Sequence, residues 1–163
     1  MTLHIHGKEL PVPPWGDFTL DLVLQYYDGP RLLLQKSKSG QLYLAWWSHS
    51  EGSIERWIYL PVSRSRLEEI MSGEIPSLDA LNRPESGHIY VVDIDTKSDS
   101  TIRTVQTKAT EIPEGFKPMP EARLRLPMPP EINGPLAEKP AGLSVPVAFA
   151  RPTKEATGRV SAP

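Results

Sequence analysis

An α+β fold is predicted: an antiparallel sheet of about five strands carrying two or three short helices, followed by an extended proline-rich tail. Three observations lead there. Ten of the twelve Phe, Trp and Tyr residues precede Ile112, whereas eleven of the eighteen prolines follow it, so an aromatic-rich domain over residues 1–112 gives way to a tail over 113–163. The runs RLLLQK, QLYLAWW and RWIYLPV, each bounded by turn residues, read as a three-stranded antiparallel meander. The stretch PVSRSRLEEIMSGEIP carries the start, stripe and stop of a helix.

Taken in order, Leu3, Ile5 and Leu10 lie around Gly7 and precede Pro11, Pro13 and Pro14, which suggests a short edge strand and then a rigid extended approach. In GDFTLDLVLQYYDGP, Asp17 or Thr19 serves as a cap, and Leu20, Val23, Leu24 and Tyr27 recur at three- and four-residue steps. That spacing predicts a helix over 19–27, ended by Asp28-Gly29-Pro30. The meander follows, its first two strands joined by SKSG and the next by the polar loop SHSEGSIE. Leu32, Leu33 and Leu34 are consecutive, as are Trp46 and Trp47, and strands apolar on both sides have both faces covered.

The second predicted helix takes Ser65 and Glu68 as a capping box, Leu67, Ile70 and Met71 as its buried stripe, and Gly73 as its stop. SLDAL adds one further turn capped by Ser77. GHIYVVDID and TIRTVQTK flank TKSDS as a second hairpin, with Ile89, Val91 and Ile94 inward. The order is therefore strand, helix, three strands, helix, short helix, two strands, with helices on one face of the sheet. Beyond Ile112, prolines exclude long helices and central strands, so loop and polyproline II are expected. Phe116 to Leu126 and Leu143 to Phe149 hold enough apolar side chains to dock, and the last dozen residues are expected to be disordered.

Length and charge bound the function. A chain of 163 residues fits one domain with a tail. With 18 basic and 20 acidic residues it offers no cationic footprint, so nucleic acid is not an expected partner. There is no cysteine, which removes disulfides, thiolate metal sites and a cysteine nucleophile. The first residues lack the basic flank and apolar run of a signal peptide, and no segment approaches the roughly 20 apolar residues that span a bilayer. A soluble cytoplasmic protein with no membrane partner is expected.

Chemical constellations are sparse, and no cofactor, metal or firm catalytic set is assigned. His4 and His6 would share one side of a strand, but two ligands without further partners make no site. His49 and Glu51, flanked by Ser48 and Ser50, fall in the loop expected between the second and third strands of the meander and are the weak catalytic candidates, with Arg56 as a basic partner. DIDTKSD superficially suits a calcium loop, but Lys97 occupies a ligand position and the turn glycine is missing, so it reads as a hairpin turn. Glu68 and Glu69 point in different directions, and Arg56, Arg64 and Arg66 read as surface residues. Trp46, Trp47 and Trp57 place indole on both faces of the sheet, for core packing or for docking.

The runs YYDGPRLLLQKSKSGQLYLAWW and RWIYLPVSRSRLEEIMSGEIPSLDAL resemble an uncharacterised bacterial or phage domain family. In it a Y-D-G-P turn precedes a hairpin, and an apolar strand ending in P-V-S leads into R-L-x-x-I-x-S-G and a short helix. The resemblance covers about Tyr26 to Leu81, with a fainter likeness in EIPEGFKPMP. It implies a domain without an assigned activity and transfers no site. The leading functional expectation is a non-enzymatic protein-interaction module, with toxin neutralisation or defence in a bacterial or phage conflict system as its setting. Its binding residues would be Trp46, Trp47, Trp57, Phe116, Leu124 and Leu126, and its partner another protein or a second copy. The rivals are a small hydrolytic enzyme using His49, Glu51 and Arg56, and a structural or virion-associated assembly protein laced together by its tail.

Overall fold

The computed structural model describes residues 5–10 and 18–132. Among them the chain forms seven strands, β1 (Lys8–Leu10), β2 (Phe18–Tyr26), β3 (Pro30–Ser37), β4 (Leu42–Glu51), β5 (Ile54–Val62), β6 (Ile89–Asp95) and β7 (Ser100–Thr107), and two α-helices, α1 (Arg64–Met71) and α2 (Ser77–Asn82). All strands pair antiparallel in the order β1-β7-β6-β5-β4-β3-β2. The meander and the second hairpin are therefore joined edge to edge, β5 to β6, into one sheet richer in strands than expected.

The helix expected over 19–27 is instead β2. Leu20, Leu22 and Leu24 pack against one face of the sheet and Val23 against the other. A strand apolar on both faces, with register shifts on either side of Leu20–Val23, mimics helical spacing at Leu20, Val23 and Leu24. Pairing with the apolar β3 decides the outcome, because tertiary contacts outweigh small propensity differences.

Two apolar layers result. On the first face, Leu32, Leu34, Leu44, Trp46, Ile58 and Leu60 meet Leu67, Ile70 and Met71 of α1 and Ala80 and Leu81 of α2. Among the described residues the second face is built from strand residues: Val23, Leu33, Tyr43, Ala45, Trp57, Tyr59 and Val92, with Phe18, Trp47, Tyr90 and Ile94 partly buried beside them. Ile94 thus points away from Ile89 and Val91, because it lies an odd number of residues from both and side chains alternate along the strand. The Phe18 and Tyr59 rings lie 6.4 Å apart although β3 and β4 separate their strands. Three interstrand steps on a flat sheet would be about 14 Å, so the β2 corner curls over this face, as strand twist and the β2 bulges favour.

Helix α1 is capped by Ser63, not Ser65: the Ser63 hydroxyl accepts a hydrogen bond from Arg66 N at 3.2 Å. The carboxylate that completes the cap comes from Glu85, which accepts from Ser63 N and from Ser63 Oγ at 2.7 Å each. Glu68 pairs with Arg64 instead. Gly73 ends the helix at φ 81°, and a Cβ there would strike the Leu124 carbonyl. Pro76, not Ser77, occupies the N-cap of α2, and the buried Ser77 donates its backbone N–H to Ala122 O at 3.0 Å.

After β7 the described chain makes 3₁₀ turns at Ala109–Glu111, Glu114–Phe116 and Pro130–Ile132. Residues 117–126 run beside α1, with Leu126 N donating to Met71 O at 3.0 Å and Arg123 Nη1 reaching Gly73 O and Glu74 O. Leu124 and Ile132 are buried in the first-face layer, and Phe116, Leu126 and Met128 pack against it. The Leu143 to Phe149 segment and the last dozen residues lie outside the described residues. Among the described residues no helix is long and apolar enough to cross a membrane.

Candidate functional site

The weak catalytic candidates are strand residues, not loop residues: His49 and Glu51 belong to β4, and Arg56 to β5 directly opposite His49. Asp93 of β6 lies opposite Arg56 in turn. These side chains make a polar row on the first face, across β4, β5 and β6. Arg56 is committed: its Nε and Nη2 donate to the two Asp93 carboxylate oxygens at 2.6 and 2.7 Å, with side-chain exposures of 11% and 9%. A bidentate pair this enclosed crosslinks β5 to β6 and uses the planar fork of the guanidinium.

His49 is part of the same row. Its ring centroid lies 4.5 Å from that of Phe116. Ser48 Oγ is 3.2 Å from His49 Nδ1 and also reaches the Phe116 carbonyl at 3.3 Å. Burial, and next the positive charge of Arg56, hold the His49 pKa below 6.5. Glu51 sits exposed at the strand end opposite Ile54. The row therefore fastens three strands and the 3₁₀ turn at Phe116. Among the described residues no group of three or more His, Asp or Glu side chains is placed to hold a metal ion. His4 lies outside the described residues, while His6 lines an open cleft of about 440 Å³ with His88, Lys108 and Glu111. In DIDTKSD, Asp95 accepts from Lys97 N and Ser98 Oγ as a turn-forming residue, which holds its pKa down.

The expected binding residues separate into buried and accessible ones. Trp46 packs on the first face, Trp57 on the second, and Leu124 under α1; all three are buried and belong to the core of this chain. Phe116 and Leu126 are half-buried against the same core. Trp47 remains half-exposed, and the Arg31 guanidinium lies 3.9 Å from its ring centroid. Arg31 Nε also donates to Tyr27 O at 2.8 Å.

Tyr26 and Tyr27, absent from the expected set, complete this surface at 62% and 79% exposure. The turn that carries them is locked: Asp28 and Gly29 take positive φ, and Tyr27 N donates to Gly29 O at 2.8 Å. Two adjacent tyrosines before Asp-Gly-Pro were the available signal, since a turn displays what it cannot bury.

A coiled antiparallel sheet with helices on one face and an exposed aromatic, arginine-bearing rim at one end defines a small sheet domain. The chain belongs to a family of unknown function, DUF6575, whose model matches residues 15–117. No curated protein and no solved structure matches it.

Proposed function

We propose that this domain is a protein-interaction module whose contact surface is formed by Tyr26, Tyr27, Arg31 and Trp47. The observation that carries the reading is the exposure of Tyr26 and Tyr27 on a rigid turn beside Arg31 stacked over Trp47. Tyr, Trp and Arg are the residue types that dominate binding energy at interfaces, because they bury large areas with little loss of conformational freedom. A turn already fixed in shape loses little entropy when a partner docks. The pairing of Arg56 with Asp93 favours a structural role for the basic residue offered beside His49 and Glu51 in the hydrolytic alternative.

The test is capture from native lysate by the full chain and by its Tyr27→Ala/Arg31→Ala variant, read by quantitative mass spectrometry. Loss of two such contacts at about 2 kcal/mol or more each is expected to weaken binding of a specific partner by roughly a thousandfold. The same partners at the same yield from both proteins, or no partner from either, defeats the proposal.

A further inference from the structure

The aromatic rim has the chemistry that recognises a proline-rich segment, and the same chain carries one. Tyr26 and Tyr27 are 62% and 79% exposed, and Trp47 stays half-exposed beneath Arg31. Polyproline II segments dock on surfaces lined with such rings, because they are extended and stiff before they bind and so lose little freedom on binding. Thirty-one residues follow Ile132, outside the described residues. Within them Pro140, Leu143, Pro146, Phe149 and Pro152 recur at every third position. Polyproline II has three residues per turn, so this spacing sets all five on one edge, about 9 Å apart. Every ring and the only leucine of residues 140–152 fall on that edge.

We propose that residues 140–152 dock as a polyproline II segment on the Tyr26, Tyr27, Arg31 and Trp47 surface of their own chain. Charge favours the contact: residues 133–163 carry four basic and two acidic side chains, whereas residues 1–132 carry fourteen and eighteen. The tether is long enough. Eleven residues from Ile132 to Leu143 span up to about 38 Å, against a radius of gyration of about 14 Å for a domain of this size. It is also short enough to hold the segment at a millimolar effective concentration, so a contact with a Kd of only about 0.1 mM is occupied about nine-tenths of the time. The proposal rests on the contact surface identified above and makes the tail its resident occupant, which an outside partner must displace.

Paramagnetic relaxation in the full chain tests this. The chain has no cysteine, so Ala148→Cys, off the docking edge, carries a nitroxide at one place. The amides of Tyr26, Tyr27 and Arg31 and the indole of Trp47 are expected to broaden, while the amide of Gly40, in the turn at the other end of β3, is not. Adding Leu143→Ser/Phe149→Ser, which removes two side chains of the edge without touching the sheet, is expected to abolish the rim broadening. A mixture of nitroxide-bearing chain with isotope-labelled chain lacking the nitroxide is expected to show none. Broadening spread evenly over the sheet, broadening that survives Leu143→Ser/Phe149→Ser, or broadening of equal strength in the mixture, which would place the tail on a second copy, overturns the proposal. The readout needs no lysate, so its failure leaves the capture test above unaffected, and an empty capture leaves this one standing.

Discussion

Removing one member of the Arg56–Asp93 pair tests the polar row most sharply. The pair is bidentate, with contacts of 2.6 and 2.7 Å and side chains about nine-tenths enclosed. Breaking such a pair strands a charge that has already lost its water, which costs about 3–5 kcal/mol, whereas replacing both partners by apolar groups of similar volume is often neutral or favourable. Asp93→Ala is therefore expected to cost about 3–4 kcal/mol, roughly 10 °C in melting temperature for a domain of this size. Arg56→Met should cost less, because Arg103 of β7 lies opposite Asp93 and offers a second cation to the carboxylate left behind. Arg56→Met/Asp93→Leu should recover most of the loss. Urea unfolding followed by tryptophan fluorescence gives all three values and the coupling between the sites. An Asp93→Ala cost under about 1 kcal/mol, or a double variant as unstable as the sum of the singles, would refute the assignment of a desolvated pair.

Three further outcomes follow from the geometry. Gly73→Ala should destabilise by about 1–3 kcal/mol in the same assay, since a side chain at φ 81° is strained and its Cβ meets the Leu124 carbonyl. Glu85→Ala removes the acceptor of two Ser63 hydrogen bonds and should cost about 1 kcal/mol by thermal unfolding, with Glu85→Gln in between. Stability should change at both ends of the pH scale, and a melting-temperature profile reads both. With the His49 pKa lowered in the fold, the unfolded chain takes up the proton first, so stability is lost as pH falls below about 6.5, and His49→Gln flattens that limb. Burial raises the Tyr43 pKa to about 12, so the unfolded chain ionises first on the alkaline side; stability is lost as pH rises from about 10 towards 12, and Tyr43→Phe reduces the loss.

Local signals carried much of the fold. The α1 helix was legible because its stripe and its Gly73 stop lie within one short stretch. Its cap was misplaced by two residues because the carboxylate that completes it, Glu85, is far away in sequence. The three meander strands and the β6–β7 hairpin followed from turn residues and apolar runs. Strand β2 was not legible, since bulges and two apolar faces erase the period of two that marks a half-buried strand. Union of the meander with the second hairpin also left no local mark, because β5 and β6 are joined through two helices. At the site, Arg56 was read as a surface residue and Asp93 as part of a turn. Their partnership depends on the β5–β6 register, which no short-range pattern encodes. Trp46 and Trp57 stood out as candidate contacts for the same reason that they fill the core, and the smaller signal, two tyrosines in a turn, marked the accessible surface.

The position of β1 bears on the order in which the domain assembles. Every other pairing joins strands that follow one another along the chain, whereas Lys8 pairs with Gln106, 98 positions away. Closing so long a loop costs entropy that is recovered only once the receiving edge exists. Residues 18–107 can therefore zip up as a nucleus of neighbouring hairpins before β1 is added to β7. The three-residue β1 strand is then the last piece to attach and the first to detach, and amide exchange at Lys8–Leu10 would report a local opening far shallower than global unfolding.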